Sequence, residues 1–89
     1  MVRTVPDAVR VLVAALEEDD LDRIRLATDE QLILLHPTLG AIVRDEMRLS
    51  KDNHDLLAAT GEAHPDDASM RIIEALREQL RCQPVARPQ

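Results

Sequence analysis

The side chains of this sequence best placed to do chemistry are two histidines, a serine and a few carboxylates. His36 stands in Leu35-His36-Pro37, and His64-Pro65-Asp66-Asp67 comes just before Ser69. Asn53 and His54 open a predicted short helix between them. If His36, His64 and one of Asp66 and Asp67 converged, imidazole and carboxylate would form a set able to hold a divalent metal. No HExxH pair, CxxC pair or other ligand spacing accompanies them, so neither a metal nor a cofactor is expected. Ser69 with a histidine and an aspartate would be the parts of a hydrolase. That serine lacks the glycine-flanked elbow that exposes a nucleophile, and an 89-residue helical chain leaves little room for an oxyanion hole.

Helix starts explain the same residues with less. Asp66, Asp67 and Ser69 can satisfy the free amides of a first turn, and a histidine beside a proline can bond a freed carbonyl. Arg44 can pair with Asp66 or Asp67 and tie the central segment to the last helix. The polar group to locate in the fold is therefore His36, Arg44, Asp45, Asn53, His64, Asp66, Asp67 and Ser69, with no residue assigned as catalytic.

The element that must position these groups runs from Thr28 to Leu49. Thr28 and Gln31 fit a capping box, and Asp29 and Glu30 put negative charge at the positive end of the helix dipole. Leu32, Ile33, Leu34 and Leu35 follow without a polar break, which marks a core helix or a seam between two copies. Pro37 removes a backbone donor, so the spacing predicts two helical pieces meeting in a kink at His36-Pro37. Leu39, Ile42, Val43 and Met47 continue the apolar side beyond it, with Gly40 on or near that side.

Around this centre, Thr4, Pro6 and Asp7 start a first helix expected over Pro6 to Glu18, with Val9, Leu12, Val13 and Leu16 on one stripe. Asp20 can cap a second, with Leu21, Ile24 and Leu26 inward and Asp22, Arg23 and Arg25 wet. After a polar loop from Ser50 to Asn53, a short helix from His54 closes at Thr60 and Gly61. Pro65 starts the last helix, running to Cys82 with Ala68, Ile72, Ile73, Leu76 and Leu80 on one face. Its Glu74 and Glu78 are expected to pair with Arg77 and Arg81. The fold class is all-α: a compact bundle of four to five short helices, forming one domain over 1–82 with a disordered tail at 83–89.

Composition narrows the function. The chain has no Phe, Tyr or Trp, which removes stacking platforms for bases and the usual bulky anchors. Its net charge of −6 and pI near 4.9 repel nucleic acid and anionic membranes. At this length only about 60–65% of the unfolded surface can be buried, by a core that has to be aliphatic. Cys82 has no partner for an intrachain disulfide. With no signal peptide pattern and no apolar run long enough to span a membrane, a cytoplasmic location is expected.

The run Leu35-His36, Leu39-Gly40, Ile42, Arg44-Asp45-Glu46, Leu49, Asn53 and Leu56-Leu57, then His64-Pro65-Asp66-Asp67-Ala68-Ser69 and Ile72-Ile73-Glu74-Ala75-Leu76, resembles a family of small bacterial domains of unknown function. That family's pattern is Leu-His-x-x-Leu-Gly-x-x-Ile-Arg-Asn, a Gly-Leu-Trp loop with Asn, and a His-Pro-Asp-Asp-Ala-Ser helix start. The resemblance covers roughly Asp20 to Leu80. The chain departs from it with Pro37 in place of an apolar or aromatic residue, Asp45 in place of Asn, Met47-Arg48-Leu49-Ser50 in place of the aromatic loop, and Arg77 in place of Trp. The resemblance implies a helical bacterial domain and assigns no activity.

The sequence thus points to a non-enzymatic, acidic interaction module that binds a basic surface on another protein, as an inhibitor, immunity or phage counter-defence protein would. Glu17, Glu18, Asp19, Asp20 and Asp22 are its expected contact residues. The alternatives are a small metal-assisted hydrolase or ligand-binding domain using His36, His64, Asp66 and Asp67, and a homodimer joined through Leu32, Ile33, Leu34 and Leu35.

Overall fold

The computed structural model describes residues 2–47 and 53–82, and these form five helices: α1 (Val5–Ala15), α2 (Glu18–Leu26), α3 (Asp29–Met47), α4 (His54–Thr60) and α5 (Pro65–Cys82). No strand occurs among the described residues, so the all-α bundle is as expected. Most of the expected loop after Leu49, and the tail at 83–89, lie outside the described residues.

Local signals set most of the boundaries. The Asp7 amide donates to Thr4 Oγ1 at 3.3 Å and starts α1. The helix stops at Ala15 and not at Glu18, because Leu16 turns to extended backbone and Glu17 becomes the N-cap of α2. The cap expected at Asp20 is thereby displaced. Glu18, Asp19 and Asp20 fill the first turn of α2, where its dipole favours them. Thr28 and Gln31 form the reciprocal box, Thr28 N to Gln31 Oε1 at 2.9 Å and Gln31 N to Thr28 Oγ1 at 3.2 Å. Gly61, at φ 77°, closes α4 in the left-handed region that costs other residues a steric penalty.

The two pieces expected to meet at His36-Pro37 are one helix, since α3 runs unbroken through Pro37. A proline at this position leaves the carbonyl of Ile33 without its helical partner. Ile33 is 62% exposed and Pro37 is exposed, so water can take that carbonyl. Interruption on the wet side is tolerable while the buried side, Leu32, Leu39, Val43 and Met47, holds the helix against the bundle.

α5 packs against each of the other four helices, and α1 also meets α4. All five expected core residues of α5 are buried, along with Leu12, Leu21, Ile24, Leu32, Val43, Met47 and Leu56 from the surrounding helices. The expected Glu–Arg ladder along α5 does not form. Arg77 reaches Asp29 Oδ1 at 2.7 Å and the Ala27 carbonyl at 3.3 Å, while Arg81 donates to the Arg25 and Ala27 carbonyls at 2.8 and 2.7 Å. These guanidiniums satisfy carbonyls left open at the end of α2, a stronger demand than an exposed ion pair. Glu74 pairs with Arg71 at 2.7 Å instead.

Candidate functional site

Two features stand out: a polar clamp between α3 and α5, and an apolar groove between α2 and α3. The clamp begins with Gly40, one turn after His36 on the buried side of α3. A Cβ there would lie 2.8 Å from His36 Cδ2, 2.9 Å from its Nε2 and 3.2 Å from Ser69 Oγ. The missing side chain lets His36 lie along its own helix and meet the first turn of α5. His36 Nε2 is 2.9 Å from Ser69 Oγ and 3.1 Å from the main-chain carbonyl of Asp66, and Ser69 Oγ donates to that carbonyl at 2.7 Å. Arg44, two turns beyond His36, forms an ion pair with the Asp66 carboxylate and completes the link.

The proton positions decide what this group can do. A carbonyl only accepts, so an Nε2 facing it carries a hydrogen and donates to both oxygens. The histidine therefore faces Ser69 as a donor, opposite to the base that would activate a nucleophilic serine. Ser69 is fully buried, and its proton returns to its own helix. His64 is the cap of α5: its Nδ1 accepts the Asp66 amide at 3.2 Å and lies 3.8 Å from Asp66 Oδ2. Among the described residues no three His, Cys, Asp or Glu side chains gather to hold a metal ion.

Of the polar residues singled out in the sequence, His36, Arg44, His64, Asp66 and Ser69 thus come together, and three do not join them. Asp45 is exposed on α3, Asp67 is exposed in the first turn of α5, and Asn53 sits at the start of α4. Asn53 is 2% exposed; its Nδ2 donates to the Val2 and Met47 carbonyls, both at 2.7 Å, and its Oδ1 accepts the Leu56 amide at 3.2 Å. It fastens the N-terminal segment, the end of α3 and the start of α4, which is a structural junction.

The acidic residues expected to meet a partner are partly engaged within α2. Asp20 lies 3.9 Å from Arg23, and Asp22 accepts from Arg25 at 3.4 Å. Beside them is a surface whose residues were expected in the core or, for the run around Leu34, in the core or in a seam between two copies. Leu26, expected inward, is 68% exposed, and Leu34, in the middle of the apolar run, is 78% exposed. With Arg23, Ala27, Gln31 and Leu35 they line an open groove of about 490 Å³. Helical phase could have located Leu34. Leu32, Leu39 and Val43 fix the buried stripe, and two residues after Leu32 lies roughly 200° round the helix. Nothing comparable marked Leu26, whose two-turn helix offers too short a pattern.

Cys82 is exposed at the end of α5 with Sγ 3.4 Å from Glu78 Oε1. The hydrogen bond to Glu78, then its negative charge, raise the thiol pKa above the ordinary value, the reverse of what a nucleophile needs.

The chain belongs to a family described as a domain of unknown function, DUF6794, whose model matches residues 3–80. No curated protein and no solved structure matches it. Among the described residues, no helix is long and apolar enough to cross a membrane.

Proposed function

We propose that this DUF6794 domain is a non-enzymatic module that binds another protein, of the kind that serves as an inhibitor, immunity or counter-defence factor. The observation that carries the reading is the pair Leu26 and Leu34, 68% and 78% exposed, lining one groove on a small acidic bundle. Large aliphatic side chains gathered in an open concavity on a domain this small mark a contact surface. The Asp66 carbonyl shared by His36 and Ser69 favours His36 as a donor, which speaks against hydrolase chemistry at this cluster. The net charge of −6 favours a partner with a basic surface.

The test is affinity capture from a lysate of the source organism at low and moderate salt, using the natural chain and Leu34→Asp in parallel. A partner retained by the natural chain, weakened by salt and lost with Leu34→Asp is the expected result. Equal capture by both chains, or by neither, would remove the groove from the argument and the reading with it.

A further inference from the structure

Resting on that reading, we infer that the groove between α2 and α3 receives a cationic amphipathic helix of the partner protein. The floor is apolar: Leu26, Ala27, Leu34 and Leu35, continued along α3 by Thr38 and Ile42 at helical spacing from Leu34 and Leu35. From Leu34 to Ile42 the stripe is about 12 Å long, two turns of helix. The rim is acidic. Glu30 lies one turn before Leu34 and Asp45 nearly one turn after Ile42, while Asp19 and Asp22, the latter also accepting from Arg25, lie two turns and one turn before Leu26. Arg23 is the cation in the groove lining, and it already faces Asp20. A guest with apolar residues at three- and four-residue steps, flanked by lysine or arginine, matches both floor and rim.

The helical form of the guest follows from the backbone of the host. α2 and α3 use their own amides and carbonyls within each helix, so the groove has no strand edge to pair with an extended peptide. An occupant has to satisfy its own backbone on the apolar floor, which a helix does. A second copy of this chain fits poorly. Two α3 helices placed antiparallel would set Asp29 and Glu30 against Asp45 and Glu46, and placed parallel would set each carboxylate against its own copy. Both arrangements join like charges on a chain that is already at −6.

The probe is a synthetic helical peptide of leucine and lysine, roughly four turns long with one leucine stripe, beside a counterpart with glutamate for every lysine. Binding is read from amide chemical shifts of the 15N-labelled chain and from anisotropy of the dye-labelled peptide. The lysine peptide is expected to bind, with shifts concentrated at Leu26, Leu34, Leu35, Thr38 and Ile42. Leu34→Asp should weaken it at least about tenfold, Glu30→Lys with Asp45→Lys should weaken it about as much, and the glutamate peptide should not bind. Leu34, Glu30 and Asp45 are exposed, so these variants keep the fold, as helical circular dichroism will verify.

Shifts mapping to the first turn of α2 or spread over the whole surface, or equal binding of both peptides, would overturn the proposal. So would a dimer in light scattering that Leu34→Asp dissolves, since the occupant would then be a second copy. If the lysine peptide fails while Leu34→Asp still abolishes capture from lysate, the partner chemistry is wrong and the interaction reading survives. If capture is also unaffected, both fall.

Discussion

His36 Nε2 faces both Ser69 Oγ and the Asp66 carbonyl, and the carbonyl, which can only accept, calls for a hydrogen on that nitrogen and so for donation toward Ser69. The Ser69 hydroxyl lies 2.7 Å from the Asp66 carbonyl and donates to it, and the imidazole, 2.9 Å from Oγ and 3.1 Å from the same carbonyl, supplies the third corner of a closed triangle. A serine so placed is a fastening between α3 and α5. Ser69→Ala should cost about 1 kcal/mol and His36→Ala about 1–2 kcal/mol in urea unfolding followed by circular dichroism. The double variant should cost less than the sum, because the two share one interaction. A serine-directed fluorophosphonate should leave Ser69 unmodified; labelling there would reverse the assignment.

Gly40 and His36 form a second test of the same clamp. Gly40→Ala puts a methyl 2.8 Å from His36 Cδ2, so the imidazole has to leave its acceptors. The substitution should destabilise by about 1–2 kcal/mol although alanine is the better helix former. In a His36→Ala background only Ser69 Oγ, 3.2 Å from the new methyl, remains close, and the same change should cost less, by about 1 kcal/mol. An identical effect in both backgrounds would show that something other than His36 sets the need for glycine.

Asn53 should be among the most sensitive polar positions. Asn53→Ala leaves the Val2 and Met47 carbonyls and the Leu56 amide unpaired, at a cost of about 2–4 kcal/mol. Asn53→Asp should be worse, since it keeps the cap to Leu56 but turns a carboxylate oxygen toward the two carbonyls that Nδ2 now serves. Midpoints of thermal unfolding in the order natural, alanine, aspartate would bear this out, and a harmless aspartate would contradict it.

Cys82 titrates above the ordinary thiol range because Glu78 accepts its hydrogen and repels the thiolate. At neutral pH the thiolate fraction is therefore lower than in a free cysteine peptide, and alkylation by iodoacetamide should be slower than for that peptide. The rate should keep rising with pH past the point where the peptide levels off. Glu78→Gln should bring the rate toward the peptide value; no change would detach the shift from Glu78.

Local chemistry carried much of this fold into view at the level of sequence. The Thr4 cap, the Thr28–Gln31 box, the Gly61 closure and the Pro65 start each depend on residues within one turn of each other, so spacing alone reveals them. The Arg44–Asp66 link was among the pairs available from sequence, because both residues fell near helix positions already placed. What escaped depends on distant partners. Arg77 and Arg81 look like members of an i,i+4 ladder until α2 presents open carbonyls to them from some 50 residues earlier. The passage of α3 through Pro37 was hidden for a related reason: whether a missing hydrogen bond breaks a helix depends on which side of it is wet.

The position of α5 in the chain carries a consequence for how the protein is made. It follows the other four in the chain, and it is the one on which they rest. Until it emerges, the apolar faces that α1 to α4 turn toward α5 have no cover, and α1 against α4 is the main contact formed among them. Assembly is therefore a late, single event, and a nascent chain lacking α5 is a substrate for chaperones and proteases in place of a smaller folded domain.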